Sequence, residues 1–324
     1  RLFRWLPVCL LLVFFLAGAN SLVRDSATFD ETAHLPAGFT YLDRADFRLN
    51  PEHPPLSKAW AALPLWLGGL AEPDYRSPHW RGEPTGAEPG RHSKANQWLF
   101  GFEFLNGPLA PGIPRRDPAR LLVPARLACL LFGVALAWVI YAWSSELWGT
   151  RGGLLSLALA CLSPTLLAHA RLVTTDLPAA LGFCLVLWSF WRFCGRPSRG
   201  RAALCGLFVA VASLIKFSTL LLGPMLLLLG LAWCCWPGLP GSERKRRLRW
   251  LAAALVLIAL IAYVGIWAGY GFRFAAAEPG YALDWSIVGP TSGASEDLIE
   301  RLLEARLLPE AYLYGLAYFC LLYT

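Results

Sequence analysis

Apolar blocks near the length of a membrane span alternate along this chain with shorter polar connections. Crossing about 30 Å of hydrocarbon takes roughly 20 apolar helical residues. The first block, residues 5–23, follows Arg1 and Arg4. Its length, and the lack of a small-x-small cleavage site after Asn20-Ser21, predict a retained span rather than a removed leader. Residues 121–143, 154–167 and 177–193 predict three further spans, the middle one short. Residues 202–236 form one long apolar block between two basic clusters, which predicts two spans with a tight turn near Lys216. Residues 251–270 complete a set of about seven transmembrane helices. Short alternating strands of the kind a membrane barrel needs are not seen. The expected fold class is therefore an all-α polytopic membrane protein with a long first outer loop, residues 24–120, and a second, residues 271–309.

The loops carry patterns of their own. In Thr28-Phe29-Asp30-Glu31 the threonine can cap a helix whose third residue is Glu31, a capping box. Residues 55–70 follow helical spacing at Trp60, Leu63, Trp66, Leu67 and Leu70, and Pro54-Pro55 suits a helix start. The segment is short for a span and contains Pro64, so it is expected to lie in the membrane interface. Residues 76–118 are rich in Pro, Gly and charge and read as irregular, apart from an aromatic patch at 98–105. The apolar element from Glu310 breaks off at Thr324, and the expectation is that a carboxy-terminal part is missing.

The net charge of +7 invites a nucleic-acid reading. The basic residues fall in short loops between apolar blocks, where membrane topology accounts for them, so no nucleic-acid partner is expected. The 24–120 loop holds eleven basic and twelve acidic residues. It lacks the positive bias of a cytoplasmic loop, which puts the amino terminus inside and this loop outside, in the cell (inner) membrane. The nine cysteines lie in or beside apolar blocks and read as packing residues.

With that topology the outer face collects the 28–58 stretch, the segment His169-Ala-Arg-Leu-Val-Thr-Thr-Asp176, and Lys216. A charge at membrane depth costs about 2.5–3.5 kcal/mol on insertion scales, so Asp176 and Lys216 need a use or a partner. The capping box could by itself account for Asp30 and Glu31. Asp30 and His34, four residues apart, would also share a helix face, and a carboxylate at the water–lipid boundary can serve as general base toward a hydroxyl. His53-Pro54-Pro55-Leu56-Ser57-Lys58 reads either as a turn into the interface helix or as part of a site.

Asp30-Glu31 with His34, followed by His53-Pro54-Pro55-Leu56-x-Lys58, resembles the first loop of protein O-mannosyltransferases. It is also similar to bacterial polyprenyl-phosphate-sugar transferases of the aminoarabinose-transferase kind. Both belong to the GT-C membrane glycosyltransferases. Arg171 to Asp176, Ser213 to Phe217, and Tyr312 to Leu316 resemble later elements of the same group. The resemblance implies one GT-C-like transmembrane domain over 1–324, with residues 28–58 as the catalytic stretch. It implies a polyprenyl-phosphate-linked sugar as donor, and a protein, lipid or glycan hydroxyl as acceptor. It makes Asp30 and Glu31 the catalytic pair, with Asp30 as an inverting base. His34, with Glu31, would orient base or acceptor. His53, Lys58, Arg171 and Lys216 are candidates for the donor phosphate, and Asp176 would bind a sugar hydroxyl or hold Arg171. A divalent cation held by carboxylate oxygens is one option; cationic side chains can do the same electrostatic work. The alternative function is a transporter, in which Asp30, Asp176 and Lys216 line a path. Transporters commonly show internal repeats, and none is apparent here.

Overall fold

Backbone inside hydrocarbon must satisfy its own hydrogen bonds, and helices dominate this chain accordingly. The computed structural model describes residues 5–82, 91–92, 94–108, 115–285, 288 and 294–322. In order, the helices are α1 (Leu6–Leu22), α2 (Phe29–Asp43), α3 (Leu56–Leu67), α4 (Pro78–Arg81), α5 (Lys94–Asn106), α6 (Ala119–Cys161) and α7 (Pro164–Ala170). They continue with α8 (Asp176–Gly195), α9 (Arg199–Ser213), a 3₁₀ turn (Phe217–Leu221), α10 (Leu222–Cys234), α11 (Gly241–Gly269), α12 (Ala294–Glu304) and α13 (Glu310–Leu322). Two short strands, β1 (Arg91–His92) and β2 (Ala282–Leu283), pair in parallel.

Among the described residues, four helical stretches are long and apolar enough to cross a membrane: α6, α8, the 3₁₀ turn with α10, and α11. The apolar α1 is shorter, at 17 residues. The protein is a polytopic membrane protein, and these stretches with α1 are the long apolar helices among its described residues. The second and third expected spans fall in the two helical segments of the 119–161 stretch, which meet at Gly149, where the backbone leaves the helical region (φ 71°, ψ 177°). Glycine takes that conformation without the penalty a Cβ would bring. The helix then stops at Cys161, and Ser163 caps the short α7 by accepting from the Leu166 N–H. The expected turn near Lys216 is present: α9 ends at Ser213, and Lys216 is extended (φ −153°, ψ 140°) before the 3₁₀ turn. The aromatic patch at 98–105 lies within α5.

Small residues set how the bundle packs. A Cβ on Gly206 would sit 3.1 Å from the Cα of Ile258, and one on Gly265 would sit 2.5 Å from the Cβ of Ala210. Residue numbers rise together along both helices, so α9 and α11 run parallel, with α10 returning between them. Along α8 and α9, by contrast, Gly182 faces Ala212 while Arg201 donates to the Arg192 carbonyl, which makes that pair antiparallel. One end of the bundle therefore holds Asp176, Lys216 and Tyr270. The other holds Arg192, Arg199, Arg246 and Arg249.

The loop 24–120 is built onto the first of these ends. Helix α2 lies between α3 and α5, with backbones almost touching. A Cβ on Gly38 would overlap the Lys58 carbonyl oxygen, and one on Gly101 would overlap that of Thr32. Helix α3 buries Ala61, Ala62 and Leu65 and leaves Trp60, Trp66 and Leu67 exposed. Its Trp60 indole donates to the Ala128 carbonyl of α6 at 2.8 Å. Beyond α11 the chain returns to this end, where Tyr312 of α13 packs edge-on against Phe217, centroids 5.1 Å apart.

Candidate active site

Glu31 is the best-anchored side chain of the candidate site. It is fully buried, and α2 begins as the capping box dictates: Glu31 Oε2 accepts from the Thr28 N–H (2.9 Å) and hydroxyl (3.1 Å). The same carboxylate takes both arms of Arg126 from α6, Nε to Oε1 at 2.8 Å and Nη2 to Oε2 at 2.6 Å. The Val173 N–H adds a bond to Oε1 at 3.1 Å. Burial works to raise the Glu31 pKa, but the bonds from Arg126 and the two backbone N–H groups outweigh it and hold the carboxyl below its ordinary value. Arg126, 1% exposed, spends its other hydrogens on the carbonyls of Leu22, Asp25 and Ser26, each at 2.8 Å. One ion pair thus ties the end of α1, the start of α2, α6 and the α7–α8 loop together.

Asp30 precedes this knot by one residue and stands exposed at the surface it creates. Its neighbours come from two distant segments. Asp176, the first residue of α8, accepts from Lys216 Nζ at 2.5 Å, and both groups act on Asp30 electrostatically. Partial desolvation first, and the Asp176 carboxylate second, raise the Asp30 pKa, while the Lys216 ammonium opposes them.

Behind Asp30 lie two histidines, their rings edge to face at 5.6 Å. His34 Nδ1 is 3.0 Å from the Val173 carbonyl. A carbonyl can only accept, so Nδ1 carries the proton and Nε2 is left as an acceptor. Burial first, and the Lys58 charge second, push the His34 pKa down to about 4, so the ring is neutral at pH 7. His53 is lowered further, by burial, His34, Lys58 and Lys216 in that order. Lys58 itself is buried: its Nζ reaches the Tyr41 hydroxyl (2.8 Å), the Asn50 carbonyl (2.6 Å) and side-chain oxygen (3.1 Å), and the His53 carbonyl (2.7 Å).

The residues singled out in the sequence thus fall into two sets. Asp30, Asp176 and Lys216 converge, with His34 and His53 beside them. Glu31 and Lys58 are buried with their polar atoms committed to the protein. Arg171 makes an ion pair with Asp25, not with Asp176, whose partner is Lys216. Five residues apart, Arg171 and Asp176 are poor helix neighbours, and Asp25 is brought up by the turn that Arg126 holds. Sequence reasoning passed over Arg126 and Asp25. The signal for Arg126 was present, since an arginine six residues into an expected span is costly and needs a partner. Among the described residues, no group of three or more His, Cys, Asp and Glu could hold a metal ion.

The model of the dolichyl-phosphate-mannose-protein mannosyltransferase family matches residues 120–267. That interval runs from the start of α6 nearly to the end of α11. It takes in Arg126, Arg171, Asp176 and Lys216 and leaves out Asp30, Glu31, His34, His53 and Lys58. No curated protein and no solved structure matches the chain. The family match supports the resemblance read in the sequence and a membrane glycosyltransferase of GT-C type.

Proposed function

We propose, with the mannosyltransferase match over residues 120–267 as premise, that this protein moves a sugar from a polyprenyl phosphate to an acceptor hydroxyl, with inversion and with Asp30 as the base. The observation that carries the reading is the convergence of Asp30, from the start of α2, on the Asp176–Lys216 pair between α8 and α9. A lipid-borne donor cannot leave the bilayer, and these groups sit where the spans meet the loop helices.

The chemistry asks for little more. Phosphate is a good leaving group, so no general acid is needed, unlike ordinary glycoside hydrolysis. Asp30 takes the hydroxyl proton as the acceptor oxygen bonds to the anomeric carbon, and the sugar–phosphate bond breaks from the opposite face. Lys216 balances the charge that grows on the departing phosphate, with Arg171 as a second cation. Both carry an acidic partner already, so the phosphate competes with Asp176 and Asp25 for them. Glu31 acts as a positioning residue: with Arg126 it fixes the first turn of α2 and so the direction of Asp30. His34 and His53, both neutral, supply a polar wall, and Lys58 holds the Asn50–His53 turn. The basic end of the bundle faces the cytoplasm, which puts the amino terminus inside and Asp30 outside. The acceptor belongs to a protein, a lipid or a glycan.

The test is transfer from radiolabelled polyprenyl-phosphate sugars by the purified protein in liposomes. Loss of a general base lowers turnover by about 10²–10⁴-fold. Asp30→Asn should lose that much while still binding donor. Equal turnover in both proteins would remove Asp30 from the chemistry, and uptake of the substrate without transfer would point to transport.

A further inference from the structure

At the end of the bundle remote from Asp30, α9 and α11 part around a cavity of about 400 Å³. Its rim carries three guanidinium groups, Arg199 from the first turn of α9 and Arg246 and Arg249 from α11. Trp250 stands beside them, and the floor is apolar, with Ala202 and Leu257. Towards the bundle middle the two helices close on each other at Gly206.

The three arginines differ in their commitments. Arg246 is held by Glu243 through two bonds of 2.9 Å. Arg199 and Arg249 have neither hydrogen-bond nor ion-pair partners among the described residues, and both are exposed. A bias of positive charge toward one face accounts for basic residues in this region. It does not account for two unpartnered guanidiniums lining one cavity over an apolar floor, which Arg244 and Lys245 on the same helix do not line. Arginine forks match a phosphate's oxygens two at a time, and a basic pocket between membrane helices suits an anionic lipid headgroup. The outer face of α11 continues from the cavity into the hydrocarbon zone with Val256 and Leu260 exposed, a track for acyl chains.

We propose that the Arg199–Arg246–Arg249 cavity binds the phosphate headgroup of an anionic membrane lipid. This lipid is distinct from the sugar donor and sits on the opposite side of the bilayer from Asp30. The site stands whether or not the chain transfers a sugar.

The probe is phosphatidylglycerol. Purified protein is placed in nanodiscs of phosphatidylcholine with and without it, and retained lipid is counted by native mass spectrometry while thermal unfolding is followed in parallel. Wild type should retain phosphatidylglycerol and unfold at a higher temperature in its presence. Arg199→Gln/Arg249→Gln should retain it about tenfold less well and lose the thermal shift. Arg244→Gln/Lys245→Gln, which removes the same charge outside the cavity, should behave as wild type. Arg199→Lys/Arg249→Lys keeps charge but not the fork and should fall between. Equal loss in the two glutamine pairs would mean a diffuse basic belt and overturn the site. Inorganic phosphate at matched ionic strength, in phosphatidylcholine alone, should leave the unfolding temperature unchanged. A shift as large as the lipid's would assign the cavity to a free anion instead. Both glutamine pairs lie on exposed residues, and matching unfolding in phosphatidylcholine alone confirms that the variants fold.

Discussion

Asp30 and Glu31 are adjacent acids with opposite environments. The pKa of Asp30 is raised, by partial desolvation and by Asp176, and that of Glu31 is lowered, chiefly by Arg126. If Asp30 must be ionised to act, transfer rises with pH through its raised pKa, and the acid limb lies above the ordinary aspartate value of about 3.9. Asp176→Asn removes a repelling charge and frees Lys216, so the limb moves to lower pH. Lys216→Met removes the opposing cation and moves it to higher pH. A pH profile of single-turnover transfer reads both shifts, and identical limbs in the two variants would uncouple Asp30 from the pair. His34 gives a stability signature with its own sign. Its folded pKa of about 4 lies below the unfolded value of 6.5. The unfolded chain therefore binds more protons between these values, stability is full above pH 6.5, and it declines as pH falls toward 4. His34→Gln should flatten that decline in a denaturation series from pH 7 to 4.5. The capping role of Glu31 could be read in four consecutive letters. Its pairing with Arg126 could not, because local pattern says nothing of which distant helix supplies the cation.

At the scale of elements, hydropathy made the spans legible, and the two basic clusters made the break at Lys216 legible, since both cannot sit on one side without a turn between them. The polar gap near Gly149 was legible in the same way, and the backbone leaves the helical region there, between the second and third expected spans. Helix α5 was hidden by the Pro- and Gly-rich letters around it, although the aromatic patch at 98–105 supplies its buried Phe100, Phe104 and Leu105. The sandwich of α2 between α3 and α5 rests on close backbone approach, which a sequence betrays only as scattered glycines. Gly38→Ala puts a methyl group where the Lys58 carbonyl oxygen lies, so the helices must separate. Overpacking of this kind costs about 1–3 kcal/mol. The variant should melt lower than wild type and lose transfer more than donor binding, because α2 carries Asp30. Gly69→Ala has open space around its Cβ but a φ of 57°, and serves as a control for backbone strain alone.

For the whole molecule, the parallel course of α9 and α11 sorts the charged residues to two ends, with the acid–lysine cluster at one and the arginine cavity at the other. Charge separation of this sort was foreseeable from the order of the blocks. The cavity was not, since it depends on how far two helices stand apart. The Glu31–Arg126 pair joins residues 95 apart in the chain and buries both charges. Breaking one partner of such a pair costs about 3–5 kcal/mol, because the other is left buried and alone. Arg126→Met should therefore unfold far more readily than Arg126→Met/Glu31→Leu, in which neither charge remains. During synthesis Glu31 emerges well before its partner. Until α6 is threaded, the first helix and the start of α2 have nothing to close upon, and an acid waits at the membrane edge without its cation. A chain that inserts α6 wrongly keeps an unpaired carboxylate on display, and loss of Arg126 should appear in cells first as rapid proteolytic clearance and only secondarily as an inactive enzyme.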